Sequence, residues 1–304
     1  MWLILAFMSA AMLGCYDSFK KQALKENAVI PVLFLNTLFS SLIFLPFILL
    51  SPSGALDDTI FHVASGGWEM HKYILLKALI VLSSWILGYF GMKHLPLTIV
   101  GPINATRPVM VLVGALLVFG ERLNGWQWLG VLLAVASFLM LSRSGKKEGI
   151  DFKHDHWIYM IVGAAALGAI SGLYDKYLMA PAESGGVGLD RMMVQSWYNI
   201  YQCGMMGVML WLLWWPKHQE TTPFHWSWSI LGVSVFLSTA DFMYFYSLSL
   251  PDAMISIVSM IRRGSVVVSF MFGALFFHEK NLRAKAVDLA LVLLGMVFLY
   301  IGSR

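Results

Sequence analysis

Apolar runs long enough to cross a bilayer recur at about ten places along this chain, and their recurrence restricts its fold more than any other feature. In hydrocarbon each backbone N–H and C=O has to be satisfied inside its own segment, so such runs fold as helices. The first five are Trp2 to Phe19, Val29 to Leu50, Tyr73 to Lys93, Leu97 to Phe119 and Trp126 to Ser142. The second five are His156 to Met179, Asp190 to Trp215, Trp226 to Leu248, Asp252 to Phe277 and Arg283 to Gly302. Hydrophobic residues fill 59% of 304 positions and charged ones 12%, a balance that no soluble domain of this length could bury. The expected fold class is an all-α membrane protein with ten transmembrane helices.

The connecting segments fit that reading. The formal charge of +4 lies in short loops, which points to membrane orientation and away from nucleic acid. Ser51 to Lys72 is the longest loop, and its Ile60, Phe61 and Val63 are expected to form a short surface helix. Cys15 and Cys203 fall inside spans and read as small apolar fillers, with neither a disulfide framework nor a metal site in view. The opening MWLILAFMSAAMLG has the apolar core of a signal peptide but no basic n-region, and is expected to stay as the first helix.

The chain repeats itself. Gly14-Cys15-Tyr16-Asp17 aligns with Gly172-Leu173-Tyr174-Asp175, and Asn36 with Asn199. Leu82 to Pro96 aligns with Leu237 to Pro251, which pairs Tyr89 with Tyr244. Gly114-Ala115-Leu116 before Glu121 matches Gly273-Ala274-Leu275 before Glu279. The expected units are residues 1–142 and 157–304, joined by a polar linker over 143–156. Five spans per unit is an odd number, so the halves are expected to cross the membrane in opposite senses, the inverted repeat of secondary transporters. The Lys and Arg bias places both termini outside, with Lys20, Lys21, Lys93, Lys146 and Lys147 among the cytoplasmic residues.

Charges inside the apolar runs single out the functional candidates. Arg262 and Arg263 sit near the middle of a span, where each costs at least a few kcal/mol unless it meets water, a counter-charge or an anion. They point about 100° apart on a helix, so both can border one cavity without sharing a niche. Arg107 comes from the corresponding span of the first half. Guanidinium forks suit carboxylate and phosphate. Asp241 lies deep in its span opposite Ile86 in the repeat and is either a counter-ion for these arginines or a proton-coupling group. Tyr16-Asp17 and Tyr174-Asp175 recur near helix ends and read either as gates or as solvated termini. Lys77 reads as a snorkelling residue one turn into its span. Glu121 and Glu279 read as turn residues pairing with Arg122 and Lys280. Gln195, Gln202, Asn36, Asn199 and Asn104 are intramembrane amides; Asn36 with Asn199 is the expected cavity pair. Tyr89 and Tyr244 offer a ring and a hydroxyl to a solute. Ala10 with Gly14 and Gly168 with Gly172 form small-residue ridges, expected to be helix contacts and not a site. Lys285 and Asp288 are spaced to pair on the last span.

The doubled blocks PVMVLVGALLVFGERLNGWQWLGVLLAVASFLML, 108–141, and VVVSFMFGALFFHEKNLRAKAVDLALVLLGMVFLY, 266–300, resemble the drug/metabolite transporter superfamily, of the kind called EamA. The resemblance spans nearly the whole chain. It implies a ten-helix bundle around a central cavity, lined mainly by the third, fourth, eighth and ninth helices, and it implies solute transport. The Arg262-Arg263 pair is also similar to the Lys-Arg pair with which plastid sugar-phosphate translocators hold phosphate. Where those relatives carry a fourth-helix lysine, this chain has Asn104, with Arg107 three residues on.

The expected function is therefore a secondary transporter of a small metabolite bearing a carboxylate or phosphate, with a coupling proton or a counter-solute. The alternative is an exporter of amino acids or of amphipathic or cationic solutes, with Asp241, Asp17 or Asp175 as charge partner. No phosphate-cradling loop, metal-ligand cluster or nucleophile set is legible, so no cofactor and no enzyme activity are expected. The expected location is the bacterial inner membrane.

Overall fold

The computed structural model describes residues 2–107, 109–110, 124–146, 153–179, 181–250, 258, 261–276 and 282–302. All regular structure among them is helical. The principal helices are α1 (Trp2–Ala23), α2 (Val29–Leu50), α3 (Trp68–His94), α4 (Leu97–Ala105) and α5 (Gly125–Lys146). They continue as α6 (His156–Met179), α7 (Arg191–Met209), α8 (Trp228–Ser249), α9 (Ser265–Leu275) and α10 (Leu282–Gly302). Five of them, α1, α2, α3, α6 and α8, are long and apolar enough to cross a membrane. The turns at Glu121 and Glu279, with Arg122 and Lys280, lie outside the described residues, as do Gly114-Ala115-Leu116 and much of the linker.

Local chemistry starts the helices where polar side chains stand before apolar runs. Asp190 accepts from Met193 N at 2.9 Å, Ser227 from Ser229 N at 3.2 Å and Asp155 from Trp157 N at 2.9 Å. Asn27 Oδ1 accepts from both Ala28 N and His225 N, tying the α1–α2 turn to the segment before α8.

Helices pack as antiparallel pairs. On α1 and α8, Ser247 Oγ donates to Trp2 O and Ser9 Oγ to Ala240 O, while Phe19 lies against Gly232. On α3 and α6, Ser84 Oγ donates to Ala164 O and Gly91 receives Ile161. On α2 and α7, Ser41 Oγ donates to Asn199 O. On α5 and α10, Ser137 Oγ donates to Asp288 O and Trp126 stacks on Phe298. Gly101 of α4 meets Val266 of α9. Gly14 lies so close to α9 that an added Cβ would come within 2.4 Å of Val268 Cβ, as the Ala10–Gly14 ridge predicts.

Large apolar side chains such as Ile4, Leu49, Leu79, Leu132 and Ile170 face outward, and Trp68, Trp126, Trp128, Trp226 and Trp228 ring the helix ends. An apolar exterior edged by tryptophans is what a bilayer selects. Cys15 and Cys203 are both free.

One expectation fails in the long loop. Ile60, Phe61 and Val63 form no helix. Phe61 stacks between Phe47 at 5.0 Å and Phe242 at 5.4 Å, Val63 is buried, and Arg191 Nη2 donates to Ile60 O. Burying aromatic surface against two helix ends outweighs a helix too short to stabilise itself.

Candidate functional site

A cavity of about 150 Å³ lies at the centre of the bundle, walled by α1, α3, α4, α6, α7, α8 and the segment entering α9. At roughly 10–15 Å³ per water in this measure, it holds on the order of ten waters or a solute of similar size.

Arg107 follows the end of α4, and Arg262 and Arg263 precede the start of α9. At both places the helical ladder is tightened: Thr106 N donates to Ile103 O and Gly264 N to Ile261 O, three residues back. All three arginines reach the cavity. Arg107 Nη2 donates to Asn104 Oδ1 at 3.0 Å, and its guanidinium lies over Gly168 of α6, where an added Cβ would sit 2.8 Å from Cζ. The Gly168–Gly172 ridge thus makes room for a charged group and lines the cavity, a correction to its reading as a helix contact alone. A glycine facing an intramembrane arginine was the available signal.

Arg262 behaves differently. It is ion-paired with Asp241, whose other oxygen accepts from Tyr198 Oη at 2.7 Å, and its guanidinium stacks 4.2 Å from the Tyr244 ring. Among the described residues neither Arg107 nor Arg263 makes a close ion pair, the nearest acid acting on both being Asp17, which is itself paired with Lys20.

The remaining charges fall into two groups. Asp17 pairs with Lys20 at 3.1 Å, and Lys20 also lies over the rings of Tyr16 and Tyr89. Asp175 of α6 pairs with Lys77 of α3, and both are buried, with Lys77 3% exposed. Neither residue reaches the outer surface, so the snorkelling reading of Lys77 and the solvated-end reading of Asp175 are both wrong. α3 begins at Trp68, five residues before the apolar run. Lys77 therefore sits about 14 Å along the helix, too deep to reach the membrane surface, and lines the cavity.

The lining charges comprise Lys20, Lys77, Arg107, Arg262 and Arg263 against Asp17, Asp175 and Asp241. Five cations against three carboxylates leave an excess of two positive charges. Tyr16, Tyr89, Tyr244 and Asn104 line the same space, and so does Tyr198, which sequence reasoning missed despite its place beside Asn199 on the polar face of α7.

Two expected site groups lie elsewhere. Asn36 is fully buried beside Ser234 of α8, and Asn199 Nδ2 donates to Gln195 O of its own helix, so neither lines the cavity. Both belong to a polar seam between α2, α7 and α8. Tyr174 lies outside the lining as well, with its hydroxyl on Tyr73 O at 3.3 Å. Asp288 is buried against α5, while the Lys285 side chain lies outside the description.

An all-helical body with an apolar exterior and a charged, solute-sized interior defines an integral membrane protein. Residues 1–143 match the EamA-like transporter family, which is part of the drug/metabolite transporter superfamily and whose members are transporters and not enzymes. A solved structure titled "Crystal structure of protein" has a TM-score of 0.64 at 13% identity, covering 99% of this chain and 97% of its own. That likeness concerns the fold alone. No curated protein matches.

Proposed function

We propose that the protein is a secondary transporter that carries a small metabolite bearing carboxylate or phosphate groups across the bacterial inner membrane. The observation that carries this reading is the pair Arg107 and Arg263, two guanidinium groups at one cavity that make no close ion pair among the described residues. A buried cation needs a compensating charge. An anionic solute supplies it. The alternative, a cationic or amphipathic solute held by Asp17, Asp175 or Asp241, is disfavoured because each of these carboxylates already has a cation against it.

Transport is proposed to proceed by alternating access of two inverted five-helix halves, residues 1–142 and 157–304, linked by 143–156. The helix pairing supports this. Exchange of the halves carries the α1–α8 contact into the α3–α6 contact, and pairs α2 with α7, α4 with α9 and α5 with α10. Lys77–Asp175 and the Tyr174–Tyr73 bond are proposed to close one end of the cavity, and Tyr16, Asp17 and Lys20 to guard the other. Both termini are proposed to face outward.

Proteoliposomes loaded with labelled succinate or phosphate, and separately with labelled putrescine, test the reading. Exchange of the anions, lost in Arg107→Ala and Arg263→Ala, is the expected result. Exchange of the amine, or anion exchange indifferent to both substitutions, would overturn it.

A further inference from the structure

Asp241 stands at the junction of two polar regions. On one side is the cavity, where it pairs with Arg262. On the other is the seam between α2, α7 and α8, in which Asn36, Ser40, Gln195, Ser196, Gln202 and Ser238 are all buried. Their side chains leave a set of donors and acceptors without partners: both amide atoms of Asn36 and Gln202, Gln195 Oε1, and the hydroxyls of Ser40, Ser196 and Ser238. Unpaired groups of both kinds call for molecules that donate and accept, and water is the one at hand. Asp241 follows Ser238 by three residues on α8, and its partner Tyr198 follows Gln195 by three on α7, so the seam adjoins the carboxylate.

An anion bound by Arg107 and Arg263 lies beside Arg262, since all three line one cavity. If it takes Arg262 as well, Asp241 loses its cation. A buried carboxylate left without a cation is neutralised by protonation. The charged and titratable groups around Asp241 are Arg262, Tyr198, Tyr16 and Asp175 with its partner Lys77, and none but Arg262 supplies it with an unshared positive charge.

Resting on the anion reading above, we propose that Asp241 takes up one proton when an anionic solute binds Arg262, and that water in the α2–α7–α8 seam delivers it. The proton passes from hydrated proton in the seam, in exchange with bulk solvent, to a carboxylate oxygen of Asp241, and no other bond is made or broken. Solute and proton then share one carrier state. By reciprocity, lower pH tightens solute binding by the same factor that solute tightens proton binding.

Isothermal titration of the purified protein with succinate and with phosphate, each in buffers of different ionisation enthalpy, counts the protons taken up. The expected result is about one proton per anion in the wild type. Asp241→Asn should bind the anion with no proton uptake. Tyr198→Phe keeps the carboxylate and removes only its hydroxyl partner, so it should retain uptake of about one proton per anion. Anion binding without proton uptake in the wild type, or uptake that survives in Asp241→Asn, would overturn the inference and leave the anion reading standing. Absence of binding by both anions would overturn the two together.

Discussion

Lys77 of α3 and Asp175 of α6 form a buried ion pair that ties these two helices together at the cavity wall. Lys77 Nζ also lies 5.2 Å from the Tyr198 ring and 5.5 Å from the Phe245 ring, so the ammonium is enclosed by a carboxylate and two aromatic faces.

Breaking this pair from one side leaves a buried charge without a partner. Lys77→Ala and Asp175→Ala should each cost about 3–5 kcal/mol. Replacing both, Lys77→Met with Asp175→Leu, should recover most of that loss. Unfolding in detergent measures it, and a double replacement no better than the singles would contradict the pairing.

Glycines on α1 and α6 should respond differently to a methyl group. At Gly14 the added Cβ meets Val268 Cβ and the backbone of Ser265, which cannot give way, so Gly14→Ala should destabilise the fold by about 1–3 kcal/mol. At Gly168 the three nearest atoms all belong to the far end of the long Arg107 side chain, which can shift. Gly168→Ala should therefore spare stability and weaken anion binding, as unfolding and titration measured on the same samples would show.

The fastened loop gives a third prediction. Arg191 holds Ile60 O and lies over the rings of Phe242 and Tyr246. Arg191→Ala should loosen the loop and speed chymotryptic cleavage at Phe61, while anion affinity changes less than about twofold; an unchanged cleavage rate would contradict the anchoring role.

Much of the fold was legible because apolar run length decides it: α2 and α6 begin and end where their runs do. The three arginines were legible because their cost in hydrocarbon demands a compensating environment. Lys77 was misread because the apolar run starts at Tyr73 while helix geometry carries α3 back to Trp68. Asn36 and Asn199 were misread because alignment in a repeat fixes a helix position and not the neighbour it faces. Their polar face packs onto α8 with Ser234, a contact that no local pattern encodes.

The central claim is that Arg107 and Arg263 together hold an anion. Each charge-assisted contact is worth about 1.5–3 kcal/mol, so losing one should weaken binding roughly ten- to hundredfold. Thermal unfolding of the purified protein with succinate, phosphate or putrescine tests it most directly. The account predicts that the anions raise Tm in the wild type, that putrescine does not, and that the Arg107→Ala/Arg263→Ala double variant folds but loses the response. Stabilisation by the amine, or an anion response intact in the double variant, would contradict it.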